Sequence, residues 1–287
     1  MRRWIAAFGF IALTFPAMAA DFEPSIFSGS SPYVPAPPTY TRWSGFYVGG
    51  QAGFGTSKMD FAKAEALSPS DPFLAPYSPI STWAKFGKSS GNAASFGGYV
   101  GYNAQWEDAI IGIEANYNRT SLHAGASASR CYLALIATTS CVTALQLGNP
   151  SPLYYDTTID TSTDFKITDY GTLRGRAGWA FESFLPYATA GLALGRAQAN
   201  RATTTAGTPS AKDPNGNDQT SIGAPFSFID TNSSTQFLYG YTVGAGLDVM
   251  LSPTFFLRSE YEYIQFISAA GVKPSLHSIR GALGIRF

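Results

Sequence analysis

The chain has 287 residues, of which only 13% are charged, and its 19 basic residues match 19 acidic ones. A zero balance gives no electrostatic reason to expect nucleic acid as a partner. Mean hydropathy near zero excludes a helical membrane protein, while 15% aromatics and 29 glycines exceed what an ordinary soluble domain carries.

The N-terminus reads MRRWIAAFGFIALTFPAMAAD. Arg2 and Arg3 supply a basic start, Trp4 to Phe15 an apolar run, and Ala17 and Ala19 the small residues of a cleavage site. Residues 1–19 are therefore predicted to be a secretory signal peptide, cut after Ala19, with Ala20 as the alternative. The apolar run is too short to span a bilayer comfortably as a retained helix. Residues 20–42 are rich in Pro and Ser. Pro fixes φ and lacks a backbone donor, so this stretch is an extended tether.

From residue 43 to 287 apolar and small or charged residues alternate in eight segments. The apolar parity is Phe46, Val48, Gly50, Ala52, Phe54 in the first and Phe96, Gly98, Val100, Tyr102 in the second. It is Ile111, Ile113, Ala115, Tyr117 in the third and Leu173, Gly175, Ala177, Trp179 in the fourth. The fifth is ambiguous and is assigned as Ala188, Ala190, Leu192, Leu194. The sixth runs over odd positions from Phe237 to Val249, the seventh over odd positions from Phe255 to Tyr263, and the eighth over odd positions from Ile279 to Phe287. Tight turns are expected at 105–108, 181–184 and 251–253. Long polar loops are expected at 57–93, 121–163 and 199–233, and a shorter one at 267–276.

Alternation alone also fits a half-buried sheet in a soluble protein. Three features favour a barrel with its polar side inward. The chain starts with an export signal. The minority parity carries Glu114, Arg174, Arg176, Asp248, Arg258, Glu260, Glu262, Arg280 and Arg286, which would fill a lumen as paired charges. Trp43, Trp106 and Trp179 fall at the short-turn end, and Tyr117, Tyr239, Tyr261 and Tyr263 nearer the long-loop end, as two aromatic girdles would. The predicted fold is all-β: an eight-stranded antiparallel up-and-down transmembrane β-barrel with long extracellular loops. Lipid offers no partner to an unpaired backbone group, so the eighth strand must pair with the first. Eight strands leave a lumen that side chains can fill, and the inward glycines leave room for the arginines.

The segments WSGFYVGGQAGFG (43–55), DYGTLRGRAGWAF (169–181), LPYATAGLALG (185–195), GYTVGAGLD (240–248), SEYEYI (259–264) and the terminal IRGALGIRF resemble strands of the outer-membrane immunogenic protein family. These are small, porin-like, opacity-related eight-stranded barrels of Gram-negative bacteria. The resemblance implies an outer-membrane location, both termini in the periplasm, and a terminal aromatic, here Phe287, read by the barrel-assembly machinery. The long loops and the cysteine pair lie outside the matched pattern, so loop-borne activities do not carry over.

Cys131 and Cys141, ten residues apart in an exported chain, suggest one disulfide, with two free thiols as the alternative. The apolar run between them is either an adhesive patch or a self-packed loop tip. His123 and His277 sit in no motif with a nucleophile. There is no phosphate loop, no metal-ligand spacing and no dinucleotide fingerprint, so no catalytic residue, cofactor or metal is expected. The favoured role is a structural and surface-interaction barrel. Its partners would be outer-membrane lipid, the assembly machinery, and host or surface ligands held by the three long loops. A narrow porin for small solutes is the alternative, and a lipid-modifying enzyme a remote one.

Overall fold

The computed structural model describes residues 42–64, 85–133, 136–138, 154–212, 218–221 and 225–287. The expected signal peptide and all of the tether but Arg42 lie outside the described residues, as does Cys141 and with it any pairing to Cys131. Among the described residues no helix is long and apolar enough to cross a membrane.

Eight long strands form the wall. They are β1 (Gly45–Asp60), β2 (Lys88–Trp106), β3 (Ala109–Leu133), β4 (Tyr154–Trp179), β5 (Phe184–Lys212), β6 (Phe226–Met250), β7 (Phe255–Phe266) and β8 (Lys273–Arg286). Two short strands, Ile136–Thr138 and Asp218–Ser221, fold back on the ends of β3 and β5. Each long strand pairs antiparallel with the next, and β8 returns to β1 with Tyr47 opposite Arg286 and Asp60 opposite Lys273. The Phe287 N–H donates to the Phe46 carbonyl at 2.9 Å, so pairing continues to the last residue. The ring leaves no edge at the level where lipid could not satisfy one.

The three turns at one end are tight. Glu107 and Glu182 take φ of 53° and 51° to reverse the chain between β2 and β3 and between β4 and β5. At the other end the structure corrects the expected loops. Segment 267–276 is a short hairpin, with Ala270 and Gly271 in the left-handed region. Most of the described residues of 57–93, 121–163 and 199–233 are in strands. The wall is consequently lopsided: β3, β4, β5 and β6 run 25, 26, 29 and 25 residues, whereas β7, β8, β1 and β2 run 12, 14, 16 and 19. The missed strand tips face water, not lipid. Their outward positions are Ser121, His123, Ser162 and Asp164, so no apolar alternation marks them. β-branched threonines still favour the pleat there.

The apolar parity points outward. Phe46, Phe54, Phe96, Ile111, Ile113, Leu173, Leu257, Ile279 and Leu283 are exposed in the isolated chain. On β5 the outward set is the assigned one: Leu192 is 66% and Leu194 67% exposed, while Tyr187 and Ala193 between and below them are buried. One break in parity was not visible in the sequence. The register shifts against both neighbours between Ile167 and Asp169 on β4: Thr168 is a one-residue bulge against β5 and faces two residues, Thr120 and Ser121, on β3. Below it even-numbered residues of β4 face inward; above it Phe165 and Ile167 do, each fully buried.

Candidate functional site: the filled lumen

The interior is stacked in three layers. At the short-turn end Trp43, Tyr47, Tyr99, Ile110, Leu185 and Phe256 form an apolar cluster. At the other end Phe61, Leu122, Phe165, Ile167, Leu238 and Phe266 belong to a second, larger one. Between them lie four guanidinium groups and four carboxylates, all with side chains no more than 1% exposed.

Register assembles this middle layer. Glu114 on β3 sits directly opposite Arg174 on β4, Asp248 on β6 opposite Arg258 on β7, and Glu260 on β7 opposite Arg280 on β8. These three neighbours pair along the wall, Arg258 Nε donating to Asp248 at 2.8 Å and Arg280 donating to Glu260. The remaining bonds cross the lumen. Arg174 donates to Glu262 at 2.9 Å and to Glu260 at 2.8 Å on the far wall, while Arg258 reaches back to Glu114 at 2.6 Å. Arg176 donates to Asp248. Arg280 also lies 2.8 Å from Glu262, a charge contact without the alignment of a hydrogen bond. Charges this deeply desolvated persist only when answered, and cross-lumen pairs answer them while tying opposite walls together.

Neutral side chains complete the layer. Tyr47 donates to Glu114 at 2.9 Å, Tyr187 to Glu260 at 2.7 Å and Thr242 to Glu262 at 3.0 Å. Arg176 lies over the Tyr187 ring at 3.7 Å and Arg258 over Tyr99 at 4.3 Å. Tyr47, Tyr99, Tyr187 and Phe256 were not singled out from the sequence, although each has inward parity. Space for all four comes from glycine: a Cβ at Gly101 would overlap the Tyr47 ring, one at Gly246 the Tyr187 ring, one at Gly49 the Tyr99 ring and one at Gly284 the Phe256 ring. The room ascribed to arginine is thus shared: Gly53 and Gly191 lie against Arg280 and Arg174, and the other glycines named here against aromatic rings, on which Arg176 and Arg258 lie.

Two expected residues sit elsewhere. Arg286 does not join the ionic layer. Its guanidinium donates to the carbonyls of Ser44 and Pro253, at 3.2 and 2.7 Å, because β8 has by then passed below the last carboxylate. Trp43 is not in an outer girdle. It precedes β1, where alternation has not begun, and it turns inward against Phe256 (centroids 6.2 Å apart) with its backbone N–H on Gln105. Trp106, Trp179, Tyr117, Tyr239 and Tyr261 are outward and exposed; Tyr263 is half-buried, its ring 4.7 Å from that of His277. Phe287 is 77% exposed at the short-turn end.

The two histidines are on separate strands. His277 is hydrogen-bonded to the Tyr261 hydroxyl at 2.7 Å, and His123 is an exposed residue of β3. Among the described residues no group of His, Cys, Asp and Glu is arranged to hold a metal ion.

A family model described as outer membrane protein beta-barrel domain matches residues 12–287. The 25 kDa outer-membrane immunogenic protein of Brucella ovis is 24% identical over 260 residues, 89% of this chain and 85% of that protein. The 22 kDa outer membrane protein of Rhizobium leguminosarum bv. viciae is 29% identical over 98 residues, 34% of this chain and 33% of that one. Among solved structures, the attachment invasion locus protein Ail of Yersinia pestis is 15% identical, covering 85% of this chain and 99% of its own, with a TM-score of 0.32. Neisserial surface protein A is 16% identical, covering 85% and 98%, with a TM-score of 0.33.

Proposed function

The chain belongs to the outer membrane protein beta-barrel domain family, and from that premise we propose a structural and surface-interaction role in the outer membrane, with a lumen closed to solutes. Both termini face the periplasm in this reading. The tall half of the wall, β3 to β6, stands outside, where its tips and loops can meet host or surface ligands. The observation that carries the closed lumen is Arg174. It bonds Glu114 on the adjacent strand and Glu260 and Glu262 across the barrel, so the middle of the channel is occupied by hydrogen-bonded charge. Catalysis is not part of the proposal: each buried carboxylate of the layer is held by a guanidinium, and neither histidine contacts a nucleophile and an acid together.

Single-channel recording in planar bilayers tests this. Wild-type protein should give weak or intermittent current, and the E260Q/E262Q variant, whose arginines lose their charged partners, a larger one. Steady, large currents from the wild type would instead establish a narrow porin.

A further inference from the structure

Charge on the outward face is unevenly distributed around the rim. On β4 and β5 a cation above the apolar belt has an acid beside it, Arg196 lying 2.9 Å from Asp169. On β8, β1 and β2 the balance is different. Lys273, Lys58 and Lys88 surround a single Asp60, and Lys63 and Lys85 are exposed just beyond. These are five of the seven lysines of the chain.

The register explains the cluster. Asp60 lies opposite Lys88 on one side and Lys273 on the other, and Lys58 is two residues below it on the same face. With strands about 4.8 Å apart, three ammonium groups converge on one patch. Lys88 touches Asp60 at 3.7 Å while remaining 82% exposed. Among the described residues Lys58 and Lys273 have no ion pair. All three line one concavity of about 710 Å³, together with Ser90, Gln265 and Ser275.

Height selects the ligand. The last strongly apolar outward residues on these strands are Phe54, Phe96 and Ile279. Lys58, the lowest of the three, lies four residues past Phe54, Lys273 six past Ile279 and Lys88 eight past Phe96, about 13, 20 and 26 Å along the strands and less along the normal once strands tilt. A lysine stem can lie down along the wall and place its ammonium lower still. The patch therefore faces sideways into the headgroup layer rather than up into solution.

We propose that Lys58, Lys88 and Lys273 bind the phosphate groups of a phosphorylated lipid in the leaflet at the long-loop end. The inference rests on the barrel lying in the outer membrane, not on its lumen being closed.

The test uses full-length protein in nanodiscs of neutral phospholipid carrying a trace of bisphosphorylated lipid A or its dephosphorylated form, with retained lipid read by native mass spectrometry. Wild type should keep the phosphorylated lipid and not the dephosphorylated one. Retention should fall about fivefold per lysine removed, and so about 100-fold in K58Q/K88Q/K273Q. Lys166→Gln on the opposite wall should leave it unchanged. Unaltered heat-modifiable mobility verifies the fold, and Lys273→Gln alone gives a milder variant should the triple one assemble poorly. Equal retention by wild type and variants overturns the proposal, as does indifference to lipid phosphate. Full competition by soluble polyphosphate at matched phosphate also overturns it, because the patch would then serve a dissolved anion. A wild type that conducts strongly but still holds lipid through these lysines sinks the closed-lumen reading alone.

Discussion

Two levels of the same strands are built inside out relative to each other. At the belt, β4 puts Leu173 outward and Arg174 inward; above the bulge it puts Lys166 outward and Phe165 inward. Every sheet needs one apolar face, and the comparison shows that the medium chooses which. Where lipid surrounds the wall, the apolar face is outside and the lumen must be filled with charges that answer one another. Where water surrounds it, the lumen becomes an ordinary apolar core. The one-residue bulge at Thr168 makes the exchange on β4, because a slip of one residue turns every later side chain to the other face.

The harshest way to break that comparison is to put charge inward above the bulge. Phe165→Asp with Ile167→Asp would bury two carboxylates in the upper apolar cluster, where both native side chains are fully buried. The expected result is loss of the heat-modifiable folded species; a normal folded yield would mean that water reaches that level of the lumen. Next in size is Arg174→Ala, which leaves Glu114, Glu260 and Glu262 short of a partner. We expect it to cost about 3–5 kcal/mol, measured by guanidinium unfolding in detergent with tryptophan fluorescence. A loss below about 1 kcal/mol would say that water, not arginine, balances those carboxylates. The smallest effect is expected at the outer face of the bulge. Arg196 pairs with Asp169 but is half exposed, so solvent screening holds the cost of Arg196→Ala under about 1 kcal/mol in the same assay.

The belt was legible because lipid forces strict alternation. Parity alone named Glu114, Arg174, Arg176, Asp248, Arg258, Glu260, Glu262 and Arg280, and the structure places all eight in one layer. The same rule could have found Tyr47, Tyr99, Tyr187 and Phe256, had inward aromatics been weighed with inward charges. It failed where its premise fails. Parity gives direction but not height, so Arg286 looked like a member of a layer that ends above it. Trp43 has no strand parity to read. The tips of β3 to β6 carry mostly polar outward residues, Ile229 apart, so strand looked like loop. The bulge at Thr168 has no Gly or Pro to announce it, and its side chain is instead fastened to Asp169 at 2.8 Å and to the Arg196 carbonyl at 3.1 Å.

Four cations against four anions in the middle layer also fix how the barrel responds to voltage. A potential difference does about 2.3 kcal/mol of work per elementary charge per 100 mV, but on a bonded set whose charges sum to zero the forces cancel to first order. The layer has no gating charge. Any current leaking past it should follow the conductivity of the bath, since salt screens desolvated pairs only weakly, and show no threshold in applied potential.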